Sequence, residues 1–124
     1  MIVHLDTSAL VDALTGPRRS LDALAMLVQD GHRLGLSTIV LYEWLRGPRT
    51  PVELAAQEEL FPRAAAAVFG AAEAQRAAQL YTRVKRPRGR ETDLAIAACA
   101  LTNGASLWTL NHADFRDIPD LRVI

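Results

Sequence analysis

The amino-terminal stretch constrains this chain more than any other feature. Residues 2–5 (Ile-Val-His-Leu) are apolar and partly β-branched, which predicts a short strand. Asp6 ends this strand, and the apolar spacing from Ala9 to Leu14 predicts a helix directly after it. A carboxylate between a first strand and a helix lies where open α/β sheets place their ligand sites. The alternative is that Asp6 only caps the helix, because Asp is favoured there for local hydrogen bonding.

The composition is that of a single globular domain spanning residues 1–124. The chain is 50% hydrophobic and 23% charged, which is ordinary globular usage and enough for one core. The longest apolar run, residues 64–72, is far shorter than the roughly 20 residues of a membrane span. We therefore expect no membrane association and, in the absence of a secretory leader pattern, a cytoplasmic location. The net charge of zero argues against a strongly basic nucleic-acid binder.

Short apolar strands alternate with amphipathic helices along the chain. This alternation predicts an α/β fold in which a mainly parallel central sheet has helices on both faces. The predicted strands are residues 2–5, 33–37 and 106–110, with a final edge strand at 121–124. Residues 64–70 are ambiguous between a short strand and a loop. Predicted helices follow the first strand and cover about residues 21–30, 39–46, 51–60, 71–85 and 91–101.

Glu43 is an unusual residue in the third predicted helix. It is the only charge between Thr38 and Leu45, in a segment that is apolar on every side and so predicted to be buried all round. A buried carboxylate is costly unless a cation or hydrogen bonds hold it. It either pairs with Arg46, three residues on and on the same helix face, or lines a shared pocket.

Three further polar residues stand at the ends of predicted elements. Asp93 lies in the first turn of the most apolar helix, where the helix dipole alone would also favour an acid. Asn111 and Asp114 follow a late strand. In a parallel sheet, strand ends and adjoining helices bring such side chains together with Asp6 and Glu43.

A cluster of these acids requires a compensating charge. Two like charges about 4 Å apart repel by roughly 4 kcal/mol at an effective dielectric constant near 20. A hard divalent cation relieves this repulsion, and oxygen-only ligands favour Mg²⁺ or Mn²⁺ over zinc. The three histidines and Cys99 lack zinc-like spacing, so a zinc site is not expected.

A basic segment precedes Asp93. Pro87 and Gly89 interrupt it, which predicts a helix end that runs into a loop. The cations are either a solvated helix terminus favoured by the helix dipole or a phosphate-contacting loop. They are Arg83, Lys85, Arg86, Arg88 and Arg90.

Four segments of the chain together resemble the motifs of PIN-domain nucleases, most closely the small VapC-type toxins of prokaryotic toxin–antitoxin pairs. They are HLDTSALVDAL, VLYEWLRG, RETDLAIAA and LWTLNHADF, in family order, and the resemblance runs from residue 2 to about residue 116. It implies a PIN-like three-layer fold. It also implies an endoribonuclease that hydrolyses RNA phosphodiester bonds with Mg²⁺, for which Mn²⁺ can substitute.

The resemblance also assigns the metal-site residues. Asp6, Glu43 and Asp93 align with the family's first three acids. The fourth position, where many members carry Asp, holds Asn111 here, and Asp114 follows shortly after it. Both are carried over as catalytic candidates, and Asp114 is taken as the fourth metal ligand.

Five residues are expected to contact substrate or the acids. The resemblance implies that Thr7 and Ser8 hydrogen-bond the acids or their bound water. The basic loop would grip RNA phosphates through Arg86, Arg88 and Arg90.

The family resemblance further implies an antitoxin partner and a homodimer. Tyr42, Trp44 and Phe61 are candidate apolar contacts, although aromatic residues at helical spacing more often pack in a core. A different function class stays open, namely a PIN-like module that binds RNA or an antitoxin without catalysis.

Overall fold

The computed structural model describes residues 1–124 as a three-stranded parallel sheet flanked by six helices, which confirms the predicted α/β class. None of the helices has the length and apolarity needed to cross a membrane. The strands are β1 Ile2–Leu5, β2 Arg33–Gly35 and β3 Ala105–Trp108. The helices are α1 Thr7–Leu14, α2 Leu21–Gln29, α3 Thr38–Arg46, α4 Pro51–Leu60, α5 Ala71–Arg83 and α6 Glu91–Thr102.

The strand order β2-β1-β3 places β1 at the centre of the sheet. Its register sets Ile2 opposite Arg33 on one side and Leu5 opposite Trp108 on the other. The chain leaves β1 first toward β2 and returns on the opposite side to form β3. The carboxyl end of β1 is therefore a topological switch point, where open α/β sheets bind ligands. Asp6 stands there, and its N–H donates to the Trp108 carbonyl at 2.8 Å.

The core lies between β1, β3 and α6. Val3 and Leu5 are fully buried, and every residue of α6 from Leu94 to Ala100 is buried, including Cys99. Small apolar side chains allow α6 to pack closely against α5, β3 and α3. Asp93, one residue before this buried run, is thereby held at the rim of the core.

Neither residues 121–124, predicted as a final edge strand, nor residues 64–70, which the sequence left open between a strand and a loop, form a strand. Residues 121–124 join β3 only through a parallel bridge between Leu107 and Val123, and the chain turns just before them at Asp120, whose φ is +65°. Residues 64–70 begin as the end of a 3-10 turn, Arg63–Ala65, and continue to a bridge between Ser37 and Ala67.

The prediction that α3 is buried on every side is wrong. Val40 and Trp44 are buried, but Tyr42 is 61% exposed and Leu45 is 46% exposed. Helix α3 packs on α1 and α6 along one face only, so its other face meets solvent. Of the three aromatic contact candidates, Trp44 and Phe61 belong to the core and Tyr42 alone lies on the surface.

Candidate active site

Asp6 is fixed by hydroxyl groups and is not used as a helix cap. It occupies the N-cap position of α1, yet its side chain makes no capping hydrogen bond. Its Oδ2 instead accepts hydrogen bonds from Ser8 (3.0 Å) and Thr109 (2.8 Å). Its Oδ1 accepts none, and the residue is 5% exposed. One carboxylate oxygen is therefore oriented by the protein and the other is left free for a ligand.

Thr109 is a site residue that the sequence pattern did not single out. It is buried, and besides bonding Asp6 it lies 3.3 Å from the Ser8 hydroxyl and accepts a hydrogen bond from the Asn111 N–H at 3.0 Å. Its one sequence signal is a hydroxyl directly after β3, on the edge of the sheet where Asp6 follows β1. A hydroxyl within an apolar run is easily taken for an ordinary strand residue.

Glu43 pairs with Arg46, as one alternative predicted, and also contacts a residue next to Asp6. Its Oε1 accepts a 2.5 Å hydrogen bond from Thr7, which ties α3 to the start of α1. Its Oε2 lies 3.6 Å from the guanidinium of Arg46. The Arg46 side chain is 59% exposed and the Glu43 side chain 19%, so solvent screens the ion pair and the Thr7 contact is the stronger restraint.

The pKa of Asp93 depends on the other carboxylates of the candidate site. Its pKa is raised from 3.8 to about 6, and burial is the largest cause. Repulsion from Asp6, Asp114 and Glu43 adds to the rise. The guanidinium of Arg90 opposes it. The charge of Asp93, at the start of α6, is therefore influenced by carboxylates from three other parts of the chain: the end of β1, helix α3 and the segment after β3.

Asn111 and Asp114, the two candidates for the fourth metal-site position, differ in charge. Asn111 and Asp114 are both exposed, and a hydrogen bond from the Asp114 N–H to the Asn111 carbonyl (3.0 Å) closes the 3-10 turn His112–Asp114. Only Asp114 contributes charge to the field around Asp93. Asn111 presents a neutral amide at the same rim.

The basic loop, residues 84–90, borders the acids and contains two kinds of arginine. Arg86 and Arg88 are exposed and form no ion pair, and Arg86 has a left-handed backbone with a φ of +54°. Arg90 makes a bidentate pair with Asp117 at 2.6 and 2.8 Å. Hydrogen bonds from Arg90 hold the pKa of the Asp117 carboxyl below its usual range. Arg90 therefore ties the loop to the segment after β3, whereas Arg86 and Arg88 are free to meet a ligand.

The donor chemistry of this site fits a hard divalent cation. All its charged donors are carboxylate oxygens. Burial is the largest cause of the raised Asp93 pKa, and the mutual repulsion that adds to it is what a bound cation relieves. As the side chains stand, no three His, Cys, Asp or Glu residues are grouped closely enough to hold a metal ion. Asp6, Glu43 and Asp114 nevertheless all lie near enough to Asp93 for their charges to raise its pKa.

Asp93→Asn should stabilise the metal-free protein at neutral pH. Because the folded-state pKa of Asp93 is raised, its favourable contribution is complete below about pH 4 and is lost as pH rises through about 6. Discounted for solvent screening, the gain of the variant at pH 7.5 is about 1 kcal/mol, and it shrinks toward zero near pH 4. Urea unfolding with chelator at several pH values measures it, and a variant less stable than wild type at pH 7.5 would refute the repulsion.

Comparison with known proteins identifies the family. Residues 3–121 match the PIN domain family. The chain is 33% identical over 120 residues to Ribonuclease VapC19 of Mycobacterium tuberculosis, covering 95% of both chains. It is also similar to a chain of VapBC-1 from nontypeable Haemophilus influenzae, with a TM-score of 0.74, 25% identity and coverage of 100% of this chain and 97% of that one. A chain of VapBC2 from Rickettsia felis, solved with a DNA fragment from their promoter, has a TM-score of 0.76, 23% identity and coverage of 100% and 98%. This chain therefore belongs to the PIN-domain family.

Proposed function

We propose that this protein is a metal-dependent endoribonuclease and the toxin of a VapBC-type toxin–antitoxin pair. The observation that carries the proposal is the set of carboxylates at the switch point of the sheet, whose mutual repulsion contributes to the raised Asp93 pKa. The relative at 33% identity bears the name ribonuclease, which supports RNA as the substrate. Hydrolysis of a phosphodiester bond is the reaction that such an acidic, cation-requiring site suits best.

The proposed metal ligands are Asp6, Glu43, Asp93 and Asp114. Bound there, Mg²⁺ or Mn²⁺ would lower the pKa of a water molecule and stabilise the charge that develops on phosphate oxygens. Asn111 adds a neutral amide that can hydrogen-bond water at the same rim.

The hydroxyl residues position the acids and do not contact RNA in this proposal. Thr7 donates to Glu43, and Ser8 together with Thr109 donates to the same oxygen of Asp6. These bonds hold the two carboxylates in place before a ligand arrives, so little reorganisation is needed during the reaction. Thr7 and Ser8 are therefore proposed as residues that position the acids, the first of the two roles that the family resemblance implied for them.

The double substitution Arg86→Ala and Arg88→Ala should weaken RNA binding and flatten its salt dependence. Each lost phosphate contact reduces the slope of log K against log salt by about 0.7 for a single strand. Fluorescence anisotropy with a labelled RNA at several salt concentrations measures both quantities. Arg19→Ala with Arg122→Ala is the matched control, since these arginines are also exposed and form no ion pair. An unchanged slope would remove the loop from the substrate site.

The proposed partners are an antitoxin and a second copy of the chain. The solved relatives are VapBC assemblies, which supports an antitoxin. The exposed face of α3, with Tyr42 and Leu45, offers apolar surface for a protein contact on the helix that carries Glu43.

Cleavage of total RNA by the purified protein tests the proposal. Cutting is expected with Mg²⁺ or Mn²⁺ and is expected to stop with excess chelator. If the folded protein cuts no RNA with either ion, the nuclease proposal fails, and the PIN-like module that only binds RNA or an antitoxin takes its place.

A further inference from the structure

A polar cavity apart from the candidate active site lies on one face of the sheet, between β1 and β2. It is half-open, has a volume of about 210 Å³, and none of the four acids of the candidate active site lines it. The register pairs Ile2 with Arg33 and His4 with Gly35, so these alternate residues lie on one face. Gly35 has no side chain to cover the His4 ring, which leaves space there. Two further small residues, Ala65 and Ala67, complete the wall.

His4 is an unsatisfied polar group in this wall. It is 5% exposed, and its imidazole forms no hydrogen bond with any other protein group. Its Nδ1 is fully buried without a partner, and its Nε2 and Cδ2 edge is the part of the ring that faces Gly35. Nε2 also has no hydrogen-bond partner in the protein, and a ligand in the cavity would supply one on the Gly35 side, since buried polar side chains in folded proteins nearly always have a partner.

The side chains around the cavity favour a negatively charged ligand. Arg33 is exposed and takes part in no ion pair, so its cation is available. Asn103, at the end of α6, uses one amide hydrogen on the Cys99 carbonyl at 2.7 Å and retains the other. No Asp or Glu lines the cavity. Hydrogen-bond donors and one free cation, without an opposing carboxylate, suit an oxyanion.

We propose that this cavity binds a phosphate group through Arg33, His4 and Asn103. Its volume is below the range of roughly 300–1,000 Å³ typical of drug-sized ligand pockets, so it suits a small phosphate-bearing group and not a whole cofactor. The phosphate belongs either to a small metabolite or to the backbone of an RNA that reaches this face. The site shares no residue with the acidic centre, so its test is independent of the nuclease proposal.

Titration of ¹⁵N-labelled protein with inorganic phosphate at constant ionic strength tests the site by NMR. The ring nitrogens of His4 and the amide of Gly35 should shift with a saturable dependence on phosphate. Arg33→Gln should weaken the apparent affinity at least fivefold, whereas Arg19→Gln should leave it unchanged. Equal affinities in the two variants would overturn the proposal.

A second variant and a second probe show whether the phosphate binds in this cavity and which kind of phosphate it is. Gly35→Ala should also weaken binding, because the added methyl would lie 3.4 Å from Cδ2 and 3.6 Å from Nε2 of His4, an ordinary contact that narrows the cavity. A nuclease-resistant oligonucleotide separates the sources of phosphate. Saturation by inorganic phosphate supports a small free ligand, and a response only to the oligonucleotide supports an RNA phosphate. No response at His4 to either probe would refute the site.

Discussion

Asp6→Asn should lower the rate of RNA cleavage at least about 10³-fold, equivalent to a rise of about 4 kcal/mol in the activation barrier. Asn has the same shape and keeps a carbonyl that can accept the hydrogen bonds of Ser8 and Thr109, so the local structure is retained. The substitution removes the negative charge and can place an amide donor where the free Oδ1 stands. A cation would then lose a charged ligand at the centre of the site.

The control for this variant is Asp22→Asn, an acid on the exposed surface of α2. It makes the same chemical change outside the site and should cleave RNA at the wild-type rate. Thermal unfolding should show that both variants are folded. Wild-type cleavage by Asp6→Asn would mean that the activity does not use Asp6, and the assignment of the acidic centre would fail.

Trp44→Ala should destabilise the fold by about 3–5 kcal/mol, a large part of the 5–15 kcal/mol typical of a small domain. Trp44 is fully buried and anchors α3, the helix that carries Glu43. The guanidinium of Arg49 lies 4.2 Å from the centre of its ring and adds a cation–π contact. Removing the indole leaves a cavity that the surrounding core cannot fill.

Trp44→Phe distinguishes packing from hydrogen bonding at this position. The indole Nε1 is buried without a hydrogen-bond partner, so Phe removes an unsatisfied donor while retaining much of the ring. Its cost in urea unfolding should be less than half that of Trp44→Ala. Equal costs, or a loss below about 1 kcal/mol for Trp44→Ala, would contradict the anchoring role.

Residue type and position along the chain were enough to nominate the acids that the fold brings near one another. Asp6, Glu43 and Asp93 each stand at an element end or as an isolated charge in an apolar stretch, and such local signals are visible in one dimension. Thr109 has no such signal, because its role depends on β3 lying beside β1, which is a property of the sheet.

Long-range contacts explain the other differences. Arg90 carries the same charge as its neighbours, and only its pairing with Asp117, 27 residues away, separates it from Arg86. The exposed face of α3 could not be predicted either, because apolar periodicity shows that a helix has an apolar face and does not show which neighbours cover it. Apolar character alone also could not show that residues 121–124 would form only a bridge beside β3.

Mn²⁺ binding to chelator-treated protein is the measurement that tests the acidic centre most directly. Isothermal titration calorimetry should show saturable binding to the wild type and to Asp22→Asn with equal Kd. Asp93→Asn should bind at least tenfold more weakly, a difference of about 1.4 kcal/mol, even though it is the more stable protein without metal. Equal binding by all three proteins, or no binding by the wild type, would contradict a metal centre formed by the carboxylates at the switch point of the sheet.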